Sequence, residues 1–128
     1  MGEEHKHLKV SQQAVIRNAS GEVLILRQAD GAIWLLPGGR MEGNEGITDS
    51  LRREVREETG MEIEIGEPVA VDISETHSTY AIAFLCTVRS ADPVLSDEHT
   101  ELRWVAPDEL PNYLWYKKIA ETLAKKLQ

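Results

Sequence analysis

The stretch GGRMEGNEGITDSLRREVREETGM, which runs from Gly38 to Met61, joins a glycine-rich turn to a segment that predicts a helix ending at Thr59. A helix rotates by about 100° per residue, so Glu54, Glu57 and Glu58 fall within an arc of about 100°. Three carboxylates are therefore expected to share one side of the last turns of this helix.

An apolar stripe accompanies the acidic face along the same helix. Ile47, Leu51 and Val55 recur at helical spacing and lie along one edge of the acidic arc. The helix is expected to begin between residues 46 and 49, and Gly60 is expected to cap its end in a left-handed conformation. The stripe should pack on a core, so the acidic face should look into a cleft beside that core.

Carboxylates this close repel one another and raise each other's pKa. A divalent cation removes that repulsion, and Mg²⁺ prefers oxygen ligands while it is shared with substrate phosphates. Gly38 and Gly39 permit main-chain groups to approach an ion or a phosphate closely. The alternative is a solvated acidic helix face, which is the ordinary meaning of a glutamate-rich helix.

The spacing of the fixed residues decides between these alternatives. The segment reads G-x5-E-x7-R-E-U-x-E-E-x-G-U from Gly39 through Glu45 and Arg53 to Met61, with an aliphatic-type residue at each U. Such a match arises by chance on the order of 10⁻⁹ per window. The pattern resembles the box of the Nudix hydrolases, which cleave nucleoside diphosphates linked to another moiety. The entry Leu-Pro-Gly-Gly, with Trp34 before it, resembles the small MutT-like branch of that family.

The box also suggests the metal site and the fold. We expect Glu54, Glu57 and Glu58 to bind Mg²⁺ or Mn²⁺. In similar enzymes the backbone carbonyl of the first box glycine binds metal as well, which implies Gly38 here. The resemblance implies an α/β/α sandwich with a mixed β-sheet, formed by a single domain over residues 1–128.

The remaining box residues are expected to support the structure. Glu45 and Arg53 should brace the loop against the helix, because the Arg53 guanidinium flanks the acidic face. Gly39 allows close backbone approach, and Gly60 ends the helix.

The general base stays open between two positions. Some Nudix enzymes use a glutamate of the box, which implies Glu57 or Glu54. Others use a glutamate from a later loop, which points to Glu98, whereas Glu101 opens a predicted strand and is as readily structural. His99 is a further candidate, although a lone loop histidine is usually just solvated.

The nucleotide that is bound is less well specified by the sequence. Clefts that recognise bases use aromatic faces for stacking and amides for base edges, which makes Gln13, Trp34 and Tyr80 candidate substrate contacts. Trp115 and Tyr116 are also available, and each aromatic could instead belong to the core.

The main hypothesis is a pyrophosphohydrolase of nucleoside triphosphates or related nucleotides, including oxidised ones, that uses a metal-activated water. The alternatives are an ADP-ribose or nucleotide-sugar hydrolase and a dinucleoside polyphosphate hydrolase. A further alternative, a nucleotide-sensing module without catalysis, is disfavoured because every box glutamate is present.

Composition limits the partners. The net charge of −8 argues against binding to nucleic acid polymers, and it requires metal ions if an acidic site is to attract a polyphosphate. No apolar run approaches the ~20 residues that cross a bilayer, and the N-terminus lacks the apolar core of a signal peptide. We therefore expect a cytoplasmic protein with a small nucleotide as its partner; a homodimer remains an open alternative.

The rest of the chain predicts strands on both sides of the central helix. Residues 8–17 and 22–28 are expected to form a hairpin, and residues 79–88 a central strand. A break at Pro68 is expected to separate two strands. A loop is predicted over residues 90–100, and the predictions after it are a strand at 101–105, a helical turn at 107–110 and a helix at 113–127.

Overall fold

The structure, a computed structural model, describes residues 7–89 and 92–127. Its strands are β1 (Lys9–Ile16), β2 (Val23–Gln28), β3 (Trp34–Leu35), β4 (Gly38–Arg40), β5 (Ile63–Ser74), β6 (Thr79–Val88) and β7 (His99–Val105). Its helices are α1 (Ile47–Thr59) and α2 (Lys117–Lys126), with a 3₁₀ helix at Pro107–Asn112. In these ranges no helix is both long enough and apolar enough to cross a membrane.

The strands form two sheets. One has the order β4-β1-β6-β5, in which β1 and β6 are parallel and the other pairs antiparallel. The other has the order β3-β2-β7 and is antiparallel throughout. The mixed sheet is thus confirmed, and β6 occupies the interior position that its apolar run predicts.

Successive residues of β1 and β2 point to opposite faces of the sheets, so both faces carry apolar side chains. One helix packs against each face. One cluster of buried residues lies on the α1 face and includes Ala14, Ile16, Leu24, Leu51 and Val55. A second cluster lies on the α2 face and includes Val15, Ile25, Ile119 and Leu123. The predicted α/β/α arrangement is therefore confirmed. Of the predicted stripe on α1, Leu51 and Val55 are buried, whereas Ile47 is exposed.

The predicted hairpin of β1 and β2 is wrong. One isolated bridge joins Arg17, directly after β1, to Val23, and the two strands themselves lie in different sheets. Each strand carries apolar residues on both faces and is flanked on both sides, β1 by β4 and β6 and β2 by β3 and β7. A sequence with two buried faces suits an inner strand of a covered sheet, so adjacency in the chain does not decide the pairing.

Several predicted boundaries also shift. Pro68 does not divide β5, because an edge strand tolerates a missing N–H and the ladder accommodates it with irregular register around Pro68. Strand β7 begins at His99, so the loop before it is shorter than predicted; Ser90 and Ala91 lie outside the described residues. Helix α2 begins at Lys117 rather than at Tyr113.

Helix α1 matches its predicted limits. It begins at Ile47 and ends at Thr59, and Gly60 caps it with φ 73° and ψ 1°. The N–H of Gly60 donates to the carbonyl of Arg56 at 2.8 Å, which satisfies one of the carbonyls left free at the helix end.

The predicted glycine turn is in fact the short strand β4, which pairs with β1. Gly38 has φ +143°, in the region that favours glycine. A Cβ at Gly38 would overlap the backbone carbonyl of Gln12, and it would lie 2.9 Å from the Cα of Gln13. Both the conformation and the close strand pairing therefore require a residue without a side chain.

Gly38→Ala should destabilise the fold by roughly 2–4 kcal/mol, because it combines backbone strain with overpacking against β1. Gly31→Ala is the matched control, since a Cβ at Gly31 would meet its nearest atom at 4.0 Å. Urea denaturation of both variants measures the difference, and equal unfolding midpoints would contradict the account of β4.

Candidate active site

A cleft of about 630 Å³ lies beside β4 and draws residues from many parts of the chain. Its size suits a small-molecule ligand. Backbone from Gly38 to Arg40 and the side chain of Glu58 line one part of it. Further lining residues include Ser11, Gln28, Asp30, Ile33, Glu98, His99, Trp115 and Tyr116.

Glu58 is the buried carboxylate of the cleft, with 7% of the residue exposed. One of its carboxylate oxygens accepts a hydrogen bond from the N–H of Gly38 at 2.7 Å. Burial raises the pKa of Glu58 to about 8, against the opposing effect of the Gly38 N–H. The charges of Glu54, Glu98 and Glu57 raise this pKa further, so four carboxyl groups influence one another here.

Glu54 lies against Gly39. A Cβ at Gly39 would come within 3.0 Å of the Glu54 carboxylate, so a side chain there would displace that group. The Glu54 side chain is 18% exposed, and burial raises its pKa, while the nearby Arg53 opposes that increase. The two glycines of β4 thus contact one carboxylate each: the N–H of Gly38 donates to Glu58, and the missing side chain of Gly39 leaves room for Glu54.

Arg53 connects the loop to the helix, as the sequence predicted. Its guanidinium donates to both oxygens of Glu45 at 2.7 and 2.8 Å and to both oxygens of Glu57 at 3.0 Å. It also contacts Glu54 at 3.2 Å. The hydrogen bond from Arg53 lowers the pKa of Glu45. Glu57 lies at the outer end of this network, with 58% of its side chain exposed.

The two downstream glutamates lie in different surroundings. Glu98 lines the cleft, whereas Glu101 on β7 forms ion pairs with Arg27 at 3.4 Å and Arg103 at 2.9 Å. His99 also lines the cleft, its Nδ1 lies 3.2 Å from the hydroxyl of Ser96, and burial lowers its pKa. Of the two glutamates, the structure brings Glu98 to the cleft and leaves Glu101 in a surface ion-pair network.

None of the three predicted substrate contacts, Gln13, Trp34 and Tyr80, lines the cleft. Trp34 is 9% exposed and packs edge-on against Tyr113 at a centroid distance of 5.9 Å, so it belongs to the core. Tyr80 lies on a different surface, beside Leu8 and Ile73. Gln13 is buried on β1, on the same face as Ser11, which does reach the cleft.

The aromatic residues that reach the cleft are Trp115 and Tyr116, just before α2. Trp115 is 54% exposed, and its backbone N–H donates to the carbonyl of Trp34 at 3.1 Å. The backbone of Trp34, rather than its ring, thus helps to place an aromatic residue at the site.

Arg40 was missed by the sequence reasoning. It is the cation among the described residues that line the cleft, and no described residue forms an ion pair or a hydrogen bond with its guanidinium. A signal was present, because a basic residue directly follows the two glycines that were expected to approach a phosphate. Its alignment with Ser11 across the ladder places both at the cleft.

The family model of the NUDIX domain matches residues 7–126. The chain belongs to the Nudix family. This confirms the family that the box predicted, and the fold and hydrolase class follow from the same similarity.

Individual Nudix relatives extend over most of the chain. A MutT-like protein of Streptomyces ambofaciens is 34% identical over 118 residues, which are 92% of this chain and 73% of the relative. A nucleoside triphosphatase, NudI, of Salmonella schwarzengrund is 33% identical over 106 residues, which are 73% of this chain and 75% of the relative. A solved ADP-ribose pyrophosphatase from Streptococcus suis has a TM-score of 0.76 at 27% identity, covering 94% of this chain and 90% of its own.

Nudix hydrolases generally need a divalent metal, and the donors of this Nudix box fit one in chemistry. Glu54, Glu57 and Glu58 offer hard oxygen ligands near one another, and the second oxygen of Glu58 has no donor among the described residues. Within the described ranges, no three acidic, histidine or cysteine side chains already converge as a metal cluster. In this structure Glu57 is instead held by Arg53.

The raised pKa of Glu58 predicts a specific pH dependence in the metal-free protein. A pKa raised from 4.5 to about 8 means that folded protein binds the proton more tightly than unfolded protein. Stability is therefore lost as pH rises between these values. Glu58→Gln keeps an acceptor for the Gly38 N–H, and in EDTA at pH 8.5 it should be more stable than wild type by on the order of 2 kcal/mol.

Thermal unfolding from pH 5 to pH 8.5 measures this effect, with the exposed Glu67→Gln as the control for removing one charge. Addition of Mg²⁺ should raise the Tm of wild type more than that of Glu58→Gln. Parallel pH profiles for wild type and Glu58→Gln would contradict the assigned environment of Glu58.

Proposed function

We propose that this Nudix hydrolase cleaves a phosphoanhydride bond of a nucleoside triphosphate or a related nucleotide, including oxidised nucleotides, in the cytoplasm. The observation that carries the proposal is the buried carboxylate of Glu58. Glu58 lines the cleft together with Glu98, Gly38 and Arg40, and the charge of Glu54, which does not itself line the cleft, also acts on it. Such a cluster of carboxylates becomes favourable when it binds a cation, and a cation there can in turn hold phosphate oxygens.

Glu54, Glu57, Glu58 and the carbonyl of Gly38 would hold Mg²⁺ or Mn²⁺. When bound, such a metal supplies a water of lowered pKa and neutralises charge on the phosphoryl oxygens. Arg53 keeps Glu57 and Glu45 in place through charge-assisted hydrogen bonds, so the helix and the loop move as one unit.

Glu98 is our assignment for the general base. It lines the cleft, and its charge contributes to the raised pKa of Glu58, so its carboxylate is close to the box acids. A carboxylate at this position, exposed and at the edge of the cleft, can accept the proton of the attacking water. Glu101 lacks this access, because its carboxylate is bound by Arg27 and Arg103.

Different residues of the cleft would bind the charged phosphates and the apolar face of the nucleobase. Arg40, whose guanidinium has no partner among the described residues, would bind a phosphate oxygen, and a guanidinium suits a bidentate contact. Trp115 and Tyr116 offer aromatic faces on which a nucleobase can stack.

The relative named a nucleoside triphosphatase favours a triphosphate substrate, while the solved ADP-ribose pyrophosphatase supports the alternative. A screen of nucleoside triphosphates (normal and oxidised), ADP-ribose, nucleotide sugars and dinucleoside polyphosphates tests the proposal, with each product identified. Pyrophosphate or monophosphate release from a triphosphate is expected. Binding without any cleavage in Mg²⁺ or Mn²⁺ would overturn it.

Glu57→Gln and Glu98→Gln should each lower kcat by roughly 10²–10⁴, the usual size of a lost base or electrostatic contribution. Glu101→Gln is the matched control, since it removes the same charge three residues further along the chain, on β7 and outside the cleft. Its kcat should stay within about threefold of wild type, because exposed ion pairs contribute little. A full effect in Glu101→Gln with none in Glu98→Gln would reverse the assignment of the base.

Trp115→Ala should raise KM by roughly 10-fold, which corresponds to the loss of one stacking contact, with a smaller change in kcat. Tyr80→Ala removes another exposed aromatic side chain away from the cleft and should leave KM unchanged. Steady-state kinetics on the best substrate of the screen measures both. An unchanged KM in Trp115→Ala would show that the base stacks elsewhere.

A further inference from the structure

The segment that carries Glu98 is attached to the end of helix α1. Residues 92–98 form no regular element, yet the backbone N–H of Val94 donates to the carbonyl of Thr59 at 2.8 Å. Thr59 is the last residue of α1 and directly follows Glu58. The helix that presents the box glutamates thus also holds the segment that leads to the downstream glutamate.

Thr59 is built into the core rather than exposed at a frayed end. It is 0% exposed, its hydroxyl donates to the carbonyl of Val55 at 2.7 Å, and the same hydroxyl accepts from the N–H of Met61 at 3.1 Å. The last four carbonyls of a helix have no donor within the helix. The Val94 N–H supplies one to Thr59, and a buried carbonyl without a donor is costly.

The other end of the segment is fixed as well. The carbonyl of Glu98 accepts from the N–H of Ala29, the residue directly after β2, at 3.0 Å. A turn closes between them, where the N–H of His99 donates to the carbonyl of Ser96 at 3.2 Å. The segment from Val94 to Glu98 is therefore held by two backbone hydrogen bonds, one to the end of α1 and one to the residue that follows β2.

The side chain of Val94 has no part in this attachment, because Val94 is 70% exposed. Its contribution lies in the backbone N–H. The neighbouring Leu95 provides a comparison, since its N–H has no acceptor among the described residues.

We propose that Val94 is a positioning residue, whose hydrogen bond to Thr59 holds the carboxylate of Glu98 in register with Glu58. This inference rests on the proposed role of Glu98. Because Thr59 directly follows Glu58, this hydrogen bond joins the segment that leads to Glu98 to the residue next to a box glutamate. This hydrogen bond thereby keeps the carboxylate of Glu98 aligned with the box glutamates. Small misalignments of reacting groups lower reaction rates strongly.

Val94→Pro removes the N–H and tests the proposal in the full-length enzyme. It should lower kcat by roughly 10- to 100-fold and leave KM within about threefold, because substrate contacts at Arg40 and Trp115 stay in place. Val94→Ala keeps the N–H and should behave as wild type, and so should Leu95→Pro, which removes an N–H that has no acceptor. Normal kcat in Val94→Pro, or an equal loss in Val94→Ala, would overturn the proposal.

A double-mutant cycle with Glu98→Gln shows whether Val94 acts through Glu98. In the Glu98→Gln background, Val94→Pro should cost less than about twofold in kcat. If the reductions in kcat of the two single variants multiply in the double variant, Val94 does not act through Glu98. That result would overturn the role of Val94 and leave the assignment of Glu98 intact. Full turnover in Glu98→Gln would instead overturn the assignment of the base, and with it the role of Val94.

Amide hydrogen exchange gives a second measurement that needs neither substrate nor metal. In the native wild-type protein, the Val94 amide should exchange at least about tenfold more slowly than that of Leu95, because only the former is hydrogen-bonded. This comparison holds even if Val94→Pro fails to fold. Equal exchange at the two amides would overturn the attachment itself.

Discussion

The hydrogen bond from the N–H of Gly38 to Glu58 is the contact on which the site depends, since it joins the short strand β4 to the last turn of α1. That strand can approach β1 closely enough only because Gly38 carries no side chain. The position of Glu58 thus follows from a backbone requirement in a neighbouring strand. One substitution in β4 would disturb the sheet edge, the helix end and the cleft together.

The site is electrostatically unfavourable when considered alone. Glu57 and Glu58 lie in the last turn of α1, where the helix dipole is negative and disfavours further negative charge. Burial adds to this cost at Glu58, and the protein as a whole is acidic. Arg53 offsets part of the repulsion by binding Glu57 and Glu45. The remaining repulsion between these carboxylates destabilises the fold. The burial of apolar side chains on the two sides of the sheets offsets this cost.

The sequence predicted the box region well because its signals are local. The limits of α1, its cap at Gly60 and the network of Arg53 all follow from residues within about two turns of one another. Strand pairing could not be predicted in the same way. β1 and β2 are close in the chain but separate in space, and the turn between them gives no information about β6 or β7.

The same limit explains the misplaced aromatic residues and the missed arginine. Trp34 and Trp115 look alike in sequence, and one lies in the core while the other lines the cleft. Which of them is exposed depends on where the segment before α2 rests against β3. Arg40 directly follows the two glycines in sequence, but its position at the cleft and its lack of a partner among the described residues depend on the tertiary fold.

The parallel pairing of β1 with β6 bears on how the protein is made. Lys9 pairs with Thr79, so the inner strand β1 must wait for a late partner while a ribosome extends the chain. During that interval β1 can already pair with β4, and β4 can contact α1, because these segments are closer in sequence and the loops between them close more easily. The nascent chain meanwhile presents an unpaired strand edge, the kind of surface that chaperones shield. Glu98 and Trp115 emerge later still, so the cleft that they line is complete only after these late residues have been synthesised.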